Sequence, residues 1–162
     1  MDKASGPANS RAMRYFLDTE FNGFGGALLS LALVPDHGEE FYVILDCADP
    51  IHPWVARHVV PFFDHVPVGM QSERLERRAA ADALSAYLAP DRSPEIVADW
   101  PEDIAQMCML LLTGPGDMVP IPGIAFRLYP MPGFSTVDNS KVPHNALHDA
   151  RALRDHVCNM LE

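Results

Sequence analysis

Cysteine is scarce in this chain and poorly placed for chemistry. Cys47, Cys108 and Cys158 are odd in number, far apart and without a Cys-x-x-Cys pair, which excludes a disulfide framework and argues against a zinc ribbon. The expectation is three buried, reduced thiols in a cytoplasmic protein. Long hydrophobic runs are also missing, since none approaches the roughly 20 residues of a membrane span. The N-terminal MDKASGPANSRA has no hydrophobic signal core and is read as a disordered lead-in over residues 1–12 rather than a secretion signal. Positive charge is short, with 12 Lys and Arg against 22 Asp and Glu and a net charge of −10. That balance argues against tight, sequence-independent coating of long duplexes, which needs a basic surface. It leaves room for a small acidic cleft in which metal ions carry the contacts to phosphate.

What is present is a chain of 162 residues, 48% of them hydrophobic, enough for one domain over residues 13–162 with a sizeable core. Strand-like stretches at about 14–21, 25–35 and 39–47 are joined by Gly-rich and Pro-Asp-His-Gly turns and predict an antiparallel meander. Proline punctuates residues 48–68, where a short helix or loop should pack through its aromatics. Residues 71–89 predict an amphipathic helix with an apolar stripe of Leu75, Ala79, Ala83, Leu84, Tyr87 and Leu88. A short buried strand at 94–98, a helix at about 100–112, a loop at 113–123, a strand at 125–129, a loop at 130–142 and a last helix at about 144–161 complete the order. The fold class is α/β: a mixed central sheet, three antiparallel strands followed by shorter ones, flanked by helices.

The first strand carries an anomaly. Asp18 and Glu20 interrupt an apolar run, and side-chain alternation puts both on the face of Arg14 and Phe16. Two carboxylates side by side on a central strand repel each other and lose hydration, so a divalent cation between them is the economical solution. Chance alone supplies about 0.7 Asp-x-Glu triplets in such a composition, so other residues must support the pair. Asp103 shares the buried stripe of its helix with Met107, Leu110 and Leu111. Asp149 precedes Leu153 by four and leans toward the core side of the last helix. His144, five residues earlier, is placed to overhang any site that Asp149 helps to build. For Asp99 and Glu102 the favoured role is an N-terminal capping box, Asp99 as cap and Glu102 reaching back.

Asp18-Thr19-Glu20 in the first strand, Asp103 opening a middle helix and His144-Asn145-Ala146-Leu147-His148-Asp149-Ala150-Arg151 opening the last one resemble the DEDDh branch of the 3′–5′ exonucleases. That superfamily includes RNase T, oligoribonuclease and the proofreading exonucleases. The short chain, Asp-Thr-Glu-Phe and the Pro53-Trp54-Val55 segment look most like the small mycobacterial-type exoribonucleases. The resemblance spans residues 14–155 and implies an RNase H-like fold and a two-metal phosphodiester hydrolase using Mg²⁺ or Mn²⁺. It implies Asp18, Glu20, Asp103 and Asp149 as metal ligands and His144 as general base. The middle motif reads Asp99-Trp100-Pro101-Glu102-Asp103 where the family has Asn-x-x-Phe-Asp, so Asp99 stands as the alternative to Asp103. Thr19, Phe21 and Asn22 are the candidate substrate contacts, with Phe21 where many proofreading enzymes have Thr. Phe24 follows them, and turn and core packing is its favoured role. The implied substrates are 3′ ends of single-stranded RNA, or DNA, and short oligonucleotides, giving nucleoside 5′-monophosphates. No membrane is involved, and a homodimer is in keeping with the family's habit. The rival readings are a non-catalytic nucleotide- or RNA-binding relative, and an unrelated α/β protein whose acids serve as caps and ion pairs.

Overall fold

A computed structural model describes residues 12–70 and 73–161. The expected lead-in, apart from Ala12, and the first two residues of the expected helix at 71–89 lie outside the described residues. The elements run in chain order β1 (Arg14–Phe21), β2 (Leu28–Pro35), β3 (Phe41–Ile44), α1 (Pro53–His58), a single 3-10 turn (Val60–Phe62), α2 (Arg77–Leu88), β4 (Glu95–Ala98), α3 (Pro101–Leu111), β5 (Leu112–Gly114), β6 (Asp117–Met118), β7 (Ala125–Leu128), α4 (Thr136–Asn139) and α5 (Ala146–Met160).

β1, the strand bearing both acids, is central in a five-stranded sheet of order β3-β2-β1-β4-β7. It pairs antiparallel with β2 and parallel with β4; β2 pairs antiparallel with β3, and β4 parallel with β7. The mixed sheet and the leading meander are therefore as the sequence indicates. Alternation along β1 divides the core. Tyr15 and Leu17 join Ala80, Leu84, Met107 and Leu110 of α2 and α3 on one face. Phe16 joins Leu153 and Val157 of α5 on the other, where Val55, Val59, Ala146, Leu147 and Ala150 form a further cluster with β2 and β3. Alanines at 146 and 150 keep the α5 surface shallow, which lets its backbone lie close to β2.

Several expectations need correction. The second helix starts at Arg77, while Leu75 is extended and bridges Leu45. Its buried face is Ala80, Ala81, Leu84, Ser85 and Leu88, not Ala79 and Ala83. Residues 113–123 are not all loop: β5 and β6 form a small antiparallel hairpin there. α4 lies within the expected loop at 130–142. Phe24 does not pack in the core; it is 98% exposed, on the tip of a turn that ends at Gly26. Glycine is required at Gly26, because a Cβ there would stand 2.1 Å from the Asn22 carbonyl oxygen. The cysteines are free, as expected, but Cys108 is exposed and the other two are only half-buried. Among the described residues no helix is long and apolar enough to cross a membrane.

The start of α5 is fixed by a buried side chain. Asn145, fully buried, caps the helix by accepting from the Leu147 and His148 N–H groups at 3.1 and 3.3 Å. Its amide nitrogen donates to the Phe62 carbonyl at 2.8 Å, which joins the α5 cap to the segment after α1. Asn145→Ala removes the cap and the tie to the Phe62 carbonyl, which keeps its bond from the His65 N–H, so it should lower unfolding free energy by about 0.5–2 kcal/mol. Urea denaturation measures this, and a loss below a few tenths of a kcal/mol would contradict the assigned role.

Candidate metal centre

Three elements deliver carboxylates to the carboxyl-terminal end of β1. Asp18 and Glu20 come from the strand itself. Asp149 comes from the first turn of α5 on one face of the sheet, and Asp103 from the first turn of α3 on the other. Asp18, Asp103 and Asp149 are all buried. Ligating oxygens of Asp18, Glu20 and Asp149 lie within 4.8 Å of one another. Oxygens around a Mg²⁺ held at about 2.1 Å stand roughly 3–4 Å apart, so a small side-chain adjustment closes this triad on an ion. The orphaned atoms point the same way: Asp18 Oδ2 and Asp149 Oδ1 are buried with no hydrogen-bond partner among the described residues. Buried carboxylate oxygens left bare cost several kcal/mol unless a cation or proton meets them.

Asp103 is held differently. Its Oδ1 accepts from the Thr19 N–H at 3.1 Å and from the Thr19 hydroxyl at 2.6 Å, leaving Oδ2 for the cleft. Thr19, expected to meet substrate, commits its hydroxyl to orienting this acid. Asp99 lines the same cleft of about 330 Å³, but the expected capping box does not form. With Pro101 at the first helical position the cap falls on Trp100, whose side chain caps nothing. Glu102 turns away and accepts from the Gly25 N–H at 2.9 Å.

Crowding and burial leave these acids reluctant to ionise. Burial, and then the neighbouring Asp103, Asp149 and Glu20, hold Asp18 well above the usual carboxylate range. Glu20 is raised in the same way, by burial and then Asp149 and Asp103. Burial pushes Asp103 up to about 7 against the opposing Thr19 hydrogen bond, and Asp149 up to about 6. Such a set stays deprotonated at neutral pH when a cation replaces the protons.

His144 stands just outside α5 on the wall of this cleft. Its backbone is left-handed, φ 61°, the only positive φ at a non-glycine residue among those described. Its N–H donates to Asp149 Oδ2 at 3.2 Å, so the strained turn and the acid support each other. Burial, and then His58, lower its imidazole pKa, which keeps the ring neutral and able to accept a proton.

A second cavity of about 380 Å³ adjoins the acids on the side of Thr19 and Glu20; Phe21, Phe24, His52 and Trp54 line it. Phe21, a candidate substrate contact, thus lines a cavity beside Glu20. The Asn22 side chain ties a loop: its amide nitrogen donates to the Pro50 carbonyl at 3.0 Å, and its oxygen accepts from the His52 N–H at 2.7 Å. Trp54 and His52 carry no site signal in the sequence beyond the Pro-Trp-Val segment, because their approach depends on how the 48–52 loop folds back. Compared with protein-family models and with curated proteins, the chain matches none.

Raised carboxyl pKa values mean that the folded state binds more protons than the unfolded chain between about pH 4 and the folded value. Each such acid therefore subtracts stability as pH rises through that window. His144 and His148, whose pKa values are lowered chiefly by burial, act in the opposite sense up to about pH 6.5. The informative quantity is thus the difference between wild type and Asp103→Asn. In metal-free buffer the variant should gain on wild type from about pH 4 to about 7, by up to roughly 1.4 kcal/mol per pH unit, and then level off. Mn²⁺ should shrink the gap. Chemical denaturation across pH reads this directly, and a constant gap would show that Asp103 titrates normally.

Proposed function

We propose that the chain is a divalent-metal-dependent 3′–5′ exonuclease of the DEDDh type, with an RNase H-like fold. It would remove nucleoside 5′-monophosphates from single-stranded 3′ ends, RNA in preference to DNA. The observation that carries this reading is the convergence of Asp18, Glu20 and Asp149 to within 4.8 Å, with Asp103 and His144 on the walls of the same cleft. The sheet also supports it, since three antiparallel strands followed by parallel ones are what an RNase H-like arrangement calls for.

Asp18, Glu20 and Asp149 would hold one Mg²⁺ or Mn²⁺, and Asp18 with the free oxygen of Asp103 a second. Bound there, the two ions supply Lewis acidity that acidifies a water and offsets phosphate charge. The chain's own groups do the rest. His144, neutral at pH 7, takes the proton of the attacking water, and Asp149 holds the His144 backbone in the required turn. The cavity beside Glu20 offers aromatic surface for the terminal base, because Phe21, Phe24 and Trp54 present rings that stack on any base. A charge of −10 suits short strands and 3′ tails, which need few phosphate contacts outside the cleft. The same reading makes this a cytoplasmic enzyme, whose free thiols a reducing compartment maintains.

A binder that kept the acids without catalysis is the second reading, and His144 argues against it. A site that only holds metal and nucleotide has no use for a base maintained in a strained backbone conformation.

The test is a time course on 5′-labelled single-stranded RNA and matched DNA with Mg²⁺, Mn²⁺ or EDTA. A ladder shrinking one nucleotide at a time, abolished by EDTA and by Asp18→Ala, is the expected result. His144→Ala should lower turnover by about 10²–10⁴-fold while Mn²⁺ still raises the melting temperature. An unshortened substrate with either ion would overturn the reading in favour of a binder.

A further inference from the structure

A general base in a hydrolytic site is ordinarily aimed by a third group, a carboxylate or carbonyl bonded to its far nitrogen. His144 has none: no hydrogen bond to its ring occurs among the described residues, and its only polar tie is the backbone N–H bond to Asp149. What meets the ring is Trp54. The two ring centroids are 5.1 Å apart at an interplanar angle of 85°, an edge-to-face contact of the preferred kind. The other neighbour of the indole is His58, one helical turn on, at 4.8 Å and 31°.

The mounting is firm. Trp54 sits at the start of α1, where its backbone N–H donates to the capping His52 Nδ1 at 3.2 Å. Val55 of α1 and Val59 just after it pack in the same core cluster as Ala146 and Leu147, the first residues of α5. The backbones that carry Trp54 and His144 are thus held together by a shared core, while Trp54 itself remains 48% exposed and its ring partners among the described residues are the two imidazoles. Trp54 lines the cavity that also holds Glu20, Phe21 and Phe24 and His144 lines the acidic cleft, so their ring contact joins the two.

We infer that Trp54 is the positioning residue for His144, and that a nucleobase seated in the aromatic cavity acts through Trp54 to fix the imidazole over the acids. Trp54 touches the base on one side and the general base on the other, so occupancy of the cavity and alignment of the proton acceptor are one event. A 3′ end lacking its terminal base would leave the indole, and with it His144, free to turn. The inference rests on the exonuclease reading and adds to it a coupling between base binding and turnover.

The experiment measures kcat and KM for wild type, Trp54→Ala, Trp54→Leu, Trp54→Phe, His144→Ala and the Trp54→Ala/His144→Ala double variant with Mn²⁺. Two oligoribonucleotides are compared, one ending in an ordinary nucleotide and one in an abasic 3′ residue. Melting with and without Mn²⁺ checks that each variant keeps its fold and its acid site. Trp54→Ala and Trp54→Leu should lower kcat by about 10–100-fold, the range a misplaced catalytic group costs, while Trp54→Phe, which retains a ring, recovers most of it. The double variant should be no slower than His144→Ala, since residues acting as a unit are not additive. The abasic end should depress kcat in wild type and not in Trp54→Ala. Additive defects, or a Trp54→Ala effect confined to KM, would overturn the coupling while leaving an exonuclease in place. If wild type shortens neither strand, the exonuclease reading fails and takes this inference with it.

Discussion

Four carboxylates gathered in a mostly buried cleft at one end of a central strand are the constraint on which the rest of this structure turns. Like charges at such distances raise one another's pKa, and burial raises them further. The arrangement costs the chain stability unless a cation or protons offset it. The three layers exist in a form that makes the gathering achievable. β1 supplies two acids in register, α5 reaches the same point from one face through a shallow alanine surface, and α3 reaches it from the other. Each helix presents its acid in its first turn, where the helix dipole favours negative charge. Two small devices hold the geometry: Thr19 fixes Asp103 through two hydrogen bonds, and the buried Asn145 cap fixes the helix that carries Asp149.

His144 extends the same logic from charge to backbone. A non-glycine residue with φ 61° is held there by its surroundings at a cost of about 1–3 kcal/mol. The turn brings the imidazole to the cleft wall and its N–H to Asp149, and Trp54 meets the ring from α1. The acidic cleft and the aromatic cavity are therefore two sides of one wall, which suits a substrate that carries both a phosphate and a base.

Much of this was legible in the sequence where charge contradicted hydrophobic pattern. Asp18 and Glu20 broke an apolar strand, Asp103 occupied a buried stripe, and Asp149 leaned toward a core face; each proved to lie in the cleft. Patterns without such a contradiction were harder to read. In α2, alanines on several faces leave the phase of the helix weakly determined, and the buried face turned out to be Ala80 and Ala81. At α3, Asp99 and Glu102 matched a capping box, but Pro101 set the boundary and the Gly25 N–H captured Glu102. Phe24 looked like core and is solvent-exposed, because the steric demand at Gly26 shapes the turn irrespective of where the ring points. Trp54 could not be assigned to the site at all, since its contact with His144 spans 90 positions of sequence and depends on Asn22 pinning an irregular loop.

The most direct test of the central claim is a Mn²⁺ titration followed by electron paramagnetic resonance on wild type and on Asp149→Asn. Wild type should suppress the sharp signal of the free aqueous ion until at least one equivalent is bound, and Asp149→Asn should largely restore it. A free-ion signal undiminished by wild type would contradict the account, because the buried acids would then have to be accommodated by protons alone.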